Sequence, residues 1–340
     1  MKKINLAFVG AGFISQICHL PNFAYNKKVR LQAICDPNYQ LAKKIAKKYS
    51  IKKVYNNHKD LLANEQNIHG VVLSVPRHKT YSIALDILKM GKNLFSEKPM
   101  AQSFQAAKKL YKTAINKKAK YIIGHMKRFD ESIIFIKKLF KKKDFNFDSL
   151  VSVYYKSFAG DSFGDFKRFI KKKEYNPHAL SNESAKNKVP KSKKTIFLKF
   201  LNTHSHAVNL LRFLFGEIKI FSKNINNNGE GIIFFKKNKK DLILSTRLLR
   251  SNDWHEEIEI VFKKYKIIIN FPVPLLVNQP GKVTITNLFN STEKKVLLKW
   301  KWSFSNQANE FINTITKNKN NSCDAKHCIN DLKIIENIFT

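Results

Sequence analysis

Three groups of residues have the types and spacing to do chemistry. The first is Gly10-Ala11-Gly12, which follows the apolar run of residues 4–9 and precedes Phe13, Ile14 and Ser15. Glycine at position 10 permits a tight turn. Glycine at position 12 lets the backbone approach a pyrophosphate, whose charge a helix N-terminus would stabilise. Asp36 closes a second apolar run, Leu31-Gln32-Ala33-Ile34-Cys35. A carboxylate there accepts ribose hydroxyl hydrogens and repels a 2′-phosphate. Strand, glycine turn, helix, strand and acid in that order describe half of a dinucleotide cradle. Ser15 stands at the third small position, where glycine or alanine is usual.

The second group is Glu97-Lys98-Pro99, placed after an extended stretch that ends at Ser96. A lysine at the carboxyl edge of an open α/β sheet can hydrogen-bond a substrate oxygen, and with a lowered pKa it can exchange a proton. Glu97 could orient it, and Pro99 favours a cis bond that would fix the direction of the lysine. The third group is Asn202, His206 and Asn209. Their i, i+4, i+7 spacing puts them on one face of a helix expected over about 202–215. A polar stripe on an otherwise apolar helix is either a wall facing a substrate or a satisfied buried network around the histidine. His204 and His206 are two residues apart and point in different directions, so no metal pair is expected, and adding His178 or His255 has no support in the spacing.

The elements that must position these residues alternate strand and helix through the first third of the chain. Strands are expected at 4–9, 29–35, 53–55, 71–75, 93–96 and 121–124. Helices are expected at 12–24, 38–49, 58–63, 79–89 and 103–117. This is a doubly wound parallel sheet, a Rossmann domain over residues 1–124. Beyond it the pattern changes to one strand at 149–158, a polar irregular stretch at 160–195 and the helix carrying His206. Successive extended segments follow over 218–300, and two helices over 303–316 and 325–338 end the chain. Residues 125–340 therefore read as an α+β domain on a large, mostly antiparallel sheet, suited to substrate binding and oligomerisation.

Composition bounds the setting. The 340 residues carry 63 lysines and arginines against 25 acids, a formal net charge of +38. Only seven of the basic residues are arginine. Lysine runs such as Lys141-Lys142-Lys143 are spread over the whole chain, together with abundant asparagine and isoleucine. A nucleic-acid binder would concentrate arginine for bidentate contacts, so a general drift in residue usage is the better reading and no specific nucleic-acid partner is expected. No apolar run approaches a membrane span. The apolar start runs straight into the glycine turn without a cleavage site, and Cys18, Cys35, Cys323 and Cys328 form neither a disulfide framework nor a zinc signature. A reducing cytoplasm is expected.

Taken together, several segments resemble the Gfo/Idh/MocA oxidoreductases, the glucose–fructose oxidoreductase and inositol dehydrogenase group. They are residues 8–15, Ile34-Cys35-Asp36-Pro37, residues 91–99, Gly124-His125-Met126-Lys127-Arg128-Phe129-Asp130, the helix from Asn202 to Gly216, and Phe304 to Phe311 and Asp331 to Ile335 in the two terminal helices. The resemblance implies an NAD- or NADP-dependent dehydrogenase acting on a secondary alcohol of a sugar, nucleotide-sugar or cyclitol, assembled as a homodimer or homotetramer. It implies that Gly10, Gly12, Phe13, Ile14, Asp36, Pro76, Glu97 and Lys98 hold the cofactor, NAD in preference to NADP because of Asp36. Lys98 would lie beside the nicotinamide, His206 would be the active-site histidine, Asn202 would stand where many members carry aspartate, and Arg128 would reach a substrate carboxylate or phosphate. Thr80 departs from the family, which usually has a histidine about there, with His78 as an imperfect substitute. A non-catalytic dinucleotide-binding regulator of the same fold is the alternative.

Overall fold

A computed structural model describes residues 3–160, 179–181, 187–249, 251–317 and 325–340. The described residues fall into two units, one comprising those up to 125, those from 179 to 187 and those from 307 to 333, the other comprising the remainder.

The first unit is built on six parallel strands: β1 (Ile4–Val9), β2 (Val29–Cys35), β3 (Lys53–Tyr55), β4 (Gly70–Leu73), β5 (Asn93–Ser96) and β6 (Tyr121–Ile123). Their order is β3-β2-β1-β4-β5-β6. The order reverses between β1 and β4, and at such a switch point the carboxyl ends of the strands open a crevice for a ligand. Between the strands run α1 (Leu20–Ala24), α2 (Tyr39–Tyr49), α3 (His58–Asn64), α4 (Arg77–Lys89) and α5 (Phe104–Asn116). Each is positioned by ordinary rules. In α2 the residues Leu41, Ala42, Ile45 and Ala46 are buried while the lysines face out, and the Asn38 side chain caps the helix by accepting from the Leu41 amide at 3.0 Å. Ser103 caps α5 in the same way. Phe8, Phe23, Phe95 and Phe311 pack with ring centroids 5.8–6.1 Å apart, edge to face except for the tilted Phe95–Phe311 pair. Each such ring adds about 1.5–3 kcal/mol of burial to the core.

The helix after the glycine turn differs from the plain helix expected over 12–24. Residues 15 to 19 form a π-helical turn, in which the Leu20 amide bonds the Ser15 carbonyl. Pro21 follows in the first turn of α1. Proline has no N–H and its ring crowds the carbonyl four residues back, so a turn widened by one residue accommodates it.

The second unit is built on eight strands: β7 (Leu150–Ala159), β8 (Lys219–Ile225), β9 (Gly231–Lys237), β10 (Lys240–Leu248), β11 (His255–Phe262), β12 (Tyr265–Phe271), β13 (Lys282–Asn287) and β14 (Glu293–Val296). The order is β14-β13-β12-β11-β7-β10-β9-β8. Only the β7–β10 pair is parallel and the others are antiparallel. Burial alternates along β7 and β11, so one face is covered and the other is not. The helices are α6 (Glu131–Leu139), α7 (Lys194–Thr203) and α8 (Ser205–Phe215), with α9 (Ser303–Lys317) and α10 (Ala325–Phe339) contributing residues to both units.

The helix expected over about 202–215 is a correction. It begins at Lys194 and is interrupted at His204, whose φ of −105° and ψ of 3° leave the helical well. The earlier start has a clear cause, since Phe197, Leu198, Phe200 and Leu201 are spaced as a helical face and are buried. Asn202 therefore stands in the last turn of α7 and His206 in the first turn of α8. The single helical face proposed for Asn202, His206 and Asn209 does not exist as one continuous surface. The irregular stretch expected at 160–195 lies largely outside the described residues. Of its described residues, Ala179 and Ser181 are held by Gln102, whose side-chain oxygen accepts from the Ser181 amide and hydroxyl and whose side-chain nitrogen donates to the Ala179 carbonyl.

Candidate active site

In the first unit the glycine turn is defined by contact. Gly10 has a φ of +99°, and a Cβ on it would lie 2.0 Å from the Ser74 carbonyl oxygen, so only glycine fits. A Cβ on Gly12 would meet nothing within 4 Å. That side of the turn is open to a group approaching the backbone, and it is the cradle a side chain would fill. Ser15 is fully buried and donates to the Gly10 carbonyl at 2.7 Å. The departure from the usual small residue thus braces the turn from beneath. Asp36 is buried, with Oδ2 accepting from the Ala11 amide at 2.9 Å and Oδ1 from the Asn38 amide at 2.8 Å. The acid and the turn are therefore one rigid piece. Phe13 and Ile14 open the helix beyond the turn. These residues fit a dinucleotide.

Glu97 and Lys98 follow β5 at the same edge. The Glu97 amide donates to the Leu73 carbonyl at 2.9 Å, which ties the loop to β4. Glu97 Oε2 accepts from the Lys98 amide at 3.1 Å, and Oε1 pairs with His19 Nε2 at 2.7 Å. A Cβ on Gly124 would press on Glu97 Cα at 3.2 Å, so glycine there leaves room for the acid. The Lys98–Pro99 bond is cis. Lys98 is half-buried, as is Pro76, which precedes α4. Thr80 is buried within α4. Near it, burial and then the Lys79 ammonium hold the imidazole of His78 below its ordinary pKa. In the first unit Gly10 and Gly12 follow β1, Asp36 follows β2, Pro76 follows β4, and Glu97 and Lys98 follow β5, all at the carboxyl edge of the sheet.

His19 was not singled out from sequence. It is 2% exposed, in the π-helical turn. The available signal was a titratable side chain on a short helix whose other residues are mostly apolar. Beside it, burial and the charge of Glu97 push the Cys18 thiol well above its ordinary pKa, so it stays protonated.

In the second unit Asn202 and His206 are half-buried, on consecutive helices. Arg128 and Asn209 are both buried, and Arg128 Nε donates to Asn209 Oδ1 at 2.6 Å. The guanidinium also lies over Phe213, 4.8 Å from the ring centre. His204 pairs its Nδ1 with the Ser157 hydroxyl at 3.0 Å and packs on Phe200. A further buried trio was missed from sequence. Lys127 pairs with Glu256, which also accepts from the Tyr155 hydroxyl at 2.5 Å. Tyr155 is held well above its ordinary pKa by burial and by that carboxylate. The signal for Glu256 was present: along β11 it shares the inward parity of Ile258 and Ile260. Its charge inside the unit is compensated by Lys127.

Among known proteins, residues 4–125 match the family described as oxidoreductases with an NAD-binding Rossmann fold, GFO_IDH_MocA. Residues 4–125 thus carry the NAD-binding Rossmann domain of the Gfo/Idh/MocA oxidoreductase family. An uncharacterized oxidoreductase from Synechocystis sp. is 28% identical over 127 residues, 37% of this chain and 34% of that protein. The chain thus matches about a third of the length of that curated relative. Two solved structures share the fold over nearly all of both chains. A 3-ketoreductase from Actinomadura kijaniata in complex with NADP and TDP-benzene superposes with a TM-score of 0.78 at 11% identity, covering 99% of this chain and 97% of that one. UDP-N-acetylglucosamine 3-dehydrogenase from Acidithiobacillus ferrooxidans superposes with a TM-score of 0.74 at 15% identity, covering 100% and 97%. At these identities the likeness is one of fold, and it extends to the parallel six-strand sheet followed by the mixed, mostly antiparallel eight-strand sheet.

Proposed function

We propose that the protein is an NAD(P)-dependent dehydrogenase that moves a hydride between the nicotinamide and a secondary alcohol or ketone of a sugar, nucleotide-sugar or cyclitol. The observation that carries this reading is the carboxyl edge of the parallel sheet. There Gly10, Gly12 and Asp36 form one braced unit, and Glu97 holds the Lys98 amide on the neighbouring loop. The activities named for the two fold relatives, both at position 3, support the substrate class.

When bound, the dinucleotide supplies or accepts the hydride. The rest of the work falls to side chains. Lys98 donates a hydrogen bond to the reacting oxygen and stabilises the negative charge that develops on it. His206 takes or gives the hydroxyl proton, a task asparagine at 202 cannot perform. Asn202 hydrogen-bonds a neighbouring hydroxyl. Arg128, whose Nε donates to Asn209, is the cation we assign to an anionic substituent of the substrate. Asp36 favours NAD over NADP by repelling a 2′-phosphate. We place the protein in a reducing cytoplasm as a homodimer or homotetramer; among the described residues Cys18, Cys35 and Cys328 form no disulfide, and no helix is long and apolar enough to cross a membrane.

The test is a panel of sugars, nucleotide-sugars and cyclitols mixed with purified protein and either NAD or NADP, read by the appearance of reduced-nicotinamide fluorescence. Substrate-dependent reduction is expected, faster with NAD. Absence of reduction by every class, alongside measured dinucleotide binding, would overturn it.

A further inference from the structure

Outside the residues assigned to the reaction, the first unit contains a buried cluster of three metal-ligating side chains. His125 directly follows Gly124 at the end of β6 and is 4% exposed. Cys328 and Asp331, 2% and 3% exposed, stand three residues apart on α10 and so share a helix face. One donor atom from each residue lies within 4.8 Å of the other two. His125 Nε2 and Asp331 Oδ2 are 3.8 Å apart. That separation is long for a hydrogen bond. It approaches the distance between two ligands of a tetrahedral zinc, roughly 3.3–3.6 Å for bonds of about 2.0–2.3 Å.

The charges also balance. A thiolate, a carboxylate and a neutral imidazole carry two negative charges, which a divalent cation cancels. One nitrogen, one sulfur and one oxygen donor suit zinc and are wrong for magnesium or calcium, which take oxygen. We propose that His125, Cys328 and Asp331 bind one Zn2+ that joins α10 to the end of the last strand of the parallel sheet. Three protein donors leave the fourth position to water. Sequence spacing gave no hint of this site, because His125 is far from the other two along the chain and Cys328-x-x-Asp331 is not a familiar zinc pair.

The experiment uses the full chain, purified without metal-affinity resin, loaded with zinc or with cobalt(II), and desalted. About one metal per chain is expected to remain, and the cobalt form should show thiolate-to-metal charge-transfer absorption. Cys328→Ser should abolish that absorption and the retained zinc. Wild-type protein that keeps no zinc and shows no thiolate–cobalt band would overturn the proposal, as would Cys328→Ser retaining zinc like wild type. Should Cys328→Ser fail to fold, the wild-type zinc content and cobalt spectrum decide by themselves.

Discussion

Lys98 leaves β5 on a loop whose direction is set by its neighbour. Glu97 accepts from the Lys98 amide and from His19, and Gly124 leaves space for that acid. Replacing Lys98 by alanine removes the ammonium without touching these contacts. We expect turnover to fall about 10²–10⁴-fold, the usual worth of a positioned acid–base or charge-stabilising group, with NAD affinity nearly unchanged. Equal turnover in steady-state kinetics would remove Lys98 from the chemistry. Gly10→Ala should destabilise the first unit by at least about 2 kcal/mol, because the new methyl collides with the Ser74 carbonyl at an unfavourable φ; an unshifted urea midpoint would contradict this. Gly10, Gly12, Asp36 and Lys98 could be read from sequence because each answers a local backbone or chemical demand within a strand–turn–helix order. The His19–Glu97 pair could not, since it joins residues whose proximity only the sheet order creates.

At the scale of elements, both parallel and antiparallel sheets followed from the apolar pattern, but helix continuity did not. Pro21 turned a plain helix into one with a π-helical turn, and the buried His204, tied to Ser157, interrupted the helix that was to carry Asn202 and His206 together. Helical periodicity reports which face is apolar and is blind to a single residue leaving the helical well. A cap offers a test by pH. Asp130 begins α6, and its Oδ1 accepts from the Ser132 amide and hydroxyl and from the Gly281 amide. Burial outweighs these bonds and raises its pKa. The folded state therefore holds the proton more tightly than the unfolded chain, whose carboxyl titrates near about 3.9. This contribution is fully present below the unfolded value and is lost as pH rises through the folded one. Asp130→Asn keeps an oxygen acceptor and removes the titration. Measured by urea unfolding across that range, stability should shift toward the variant, relative to wild type, as pH rises; a pH-independent gap would contradict it.

Across the whole molecule, the net charge of +38 is the strongest number in the sequence and the least informative about the fold. Spread as lysine over both units, it should produce weak association with generic DNA that disappears between low and physiological salt and shows no sequence preference, as read by fluorescence anisotropy. Salt-resistant, sequence-selective binding would call for a different function. In the proposed chemistry Lys98 meets the reacting oxygen and His206 exchanges its proton. The measurement that tests it most directly is a crystal structure with NADH bound. The expected result is a pyrophosphate over Gly12, ribose hydroxyls on Asp36, and both the Lys98 ammonium and the His206 imidazole beside the C4 face of the nicotinamide. A nicotinamide remote from either side chain would contradict the assigned chemistry.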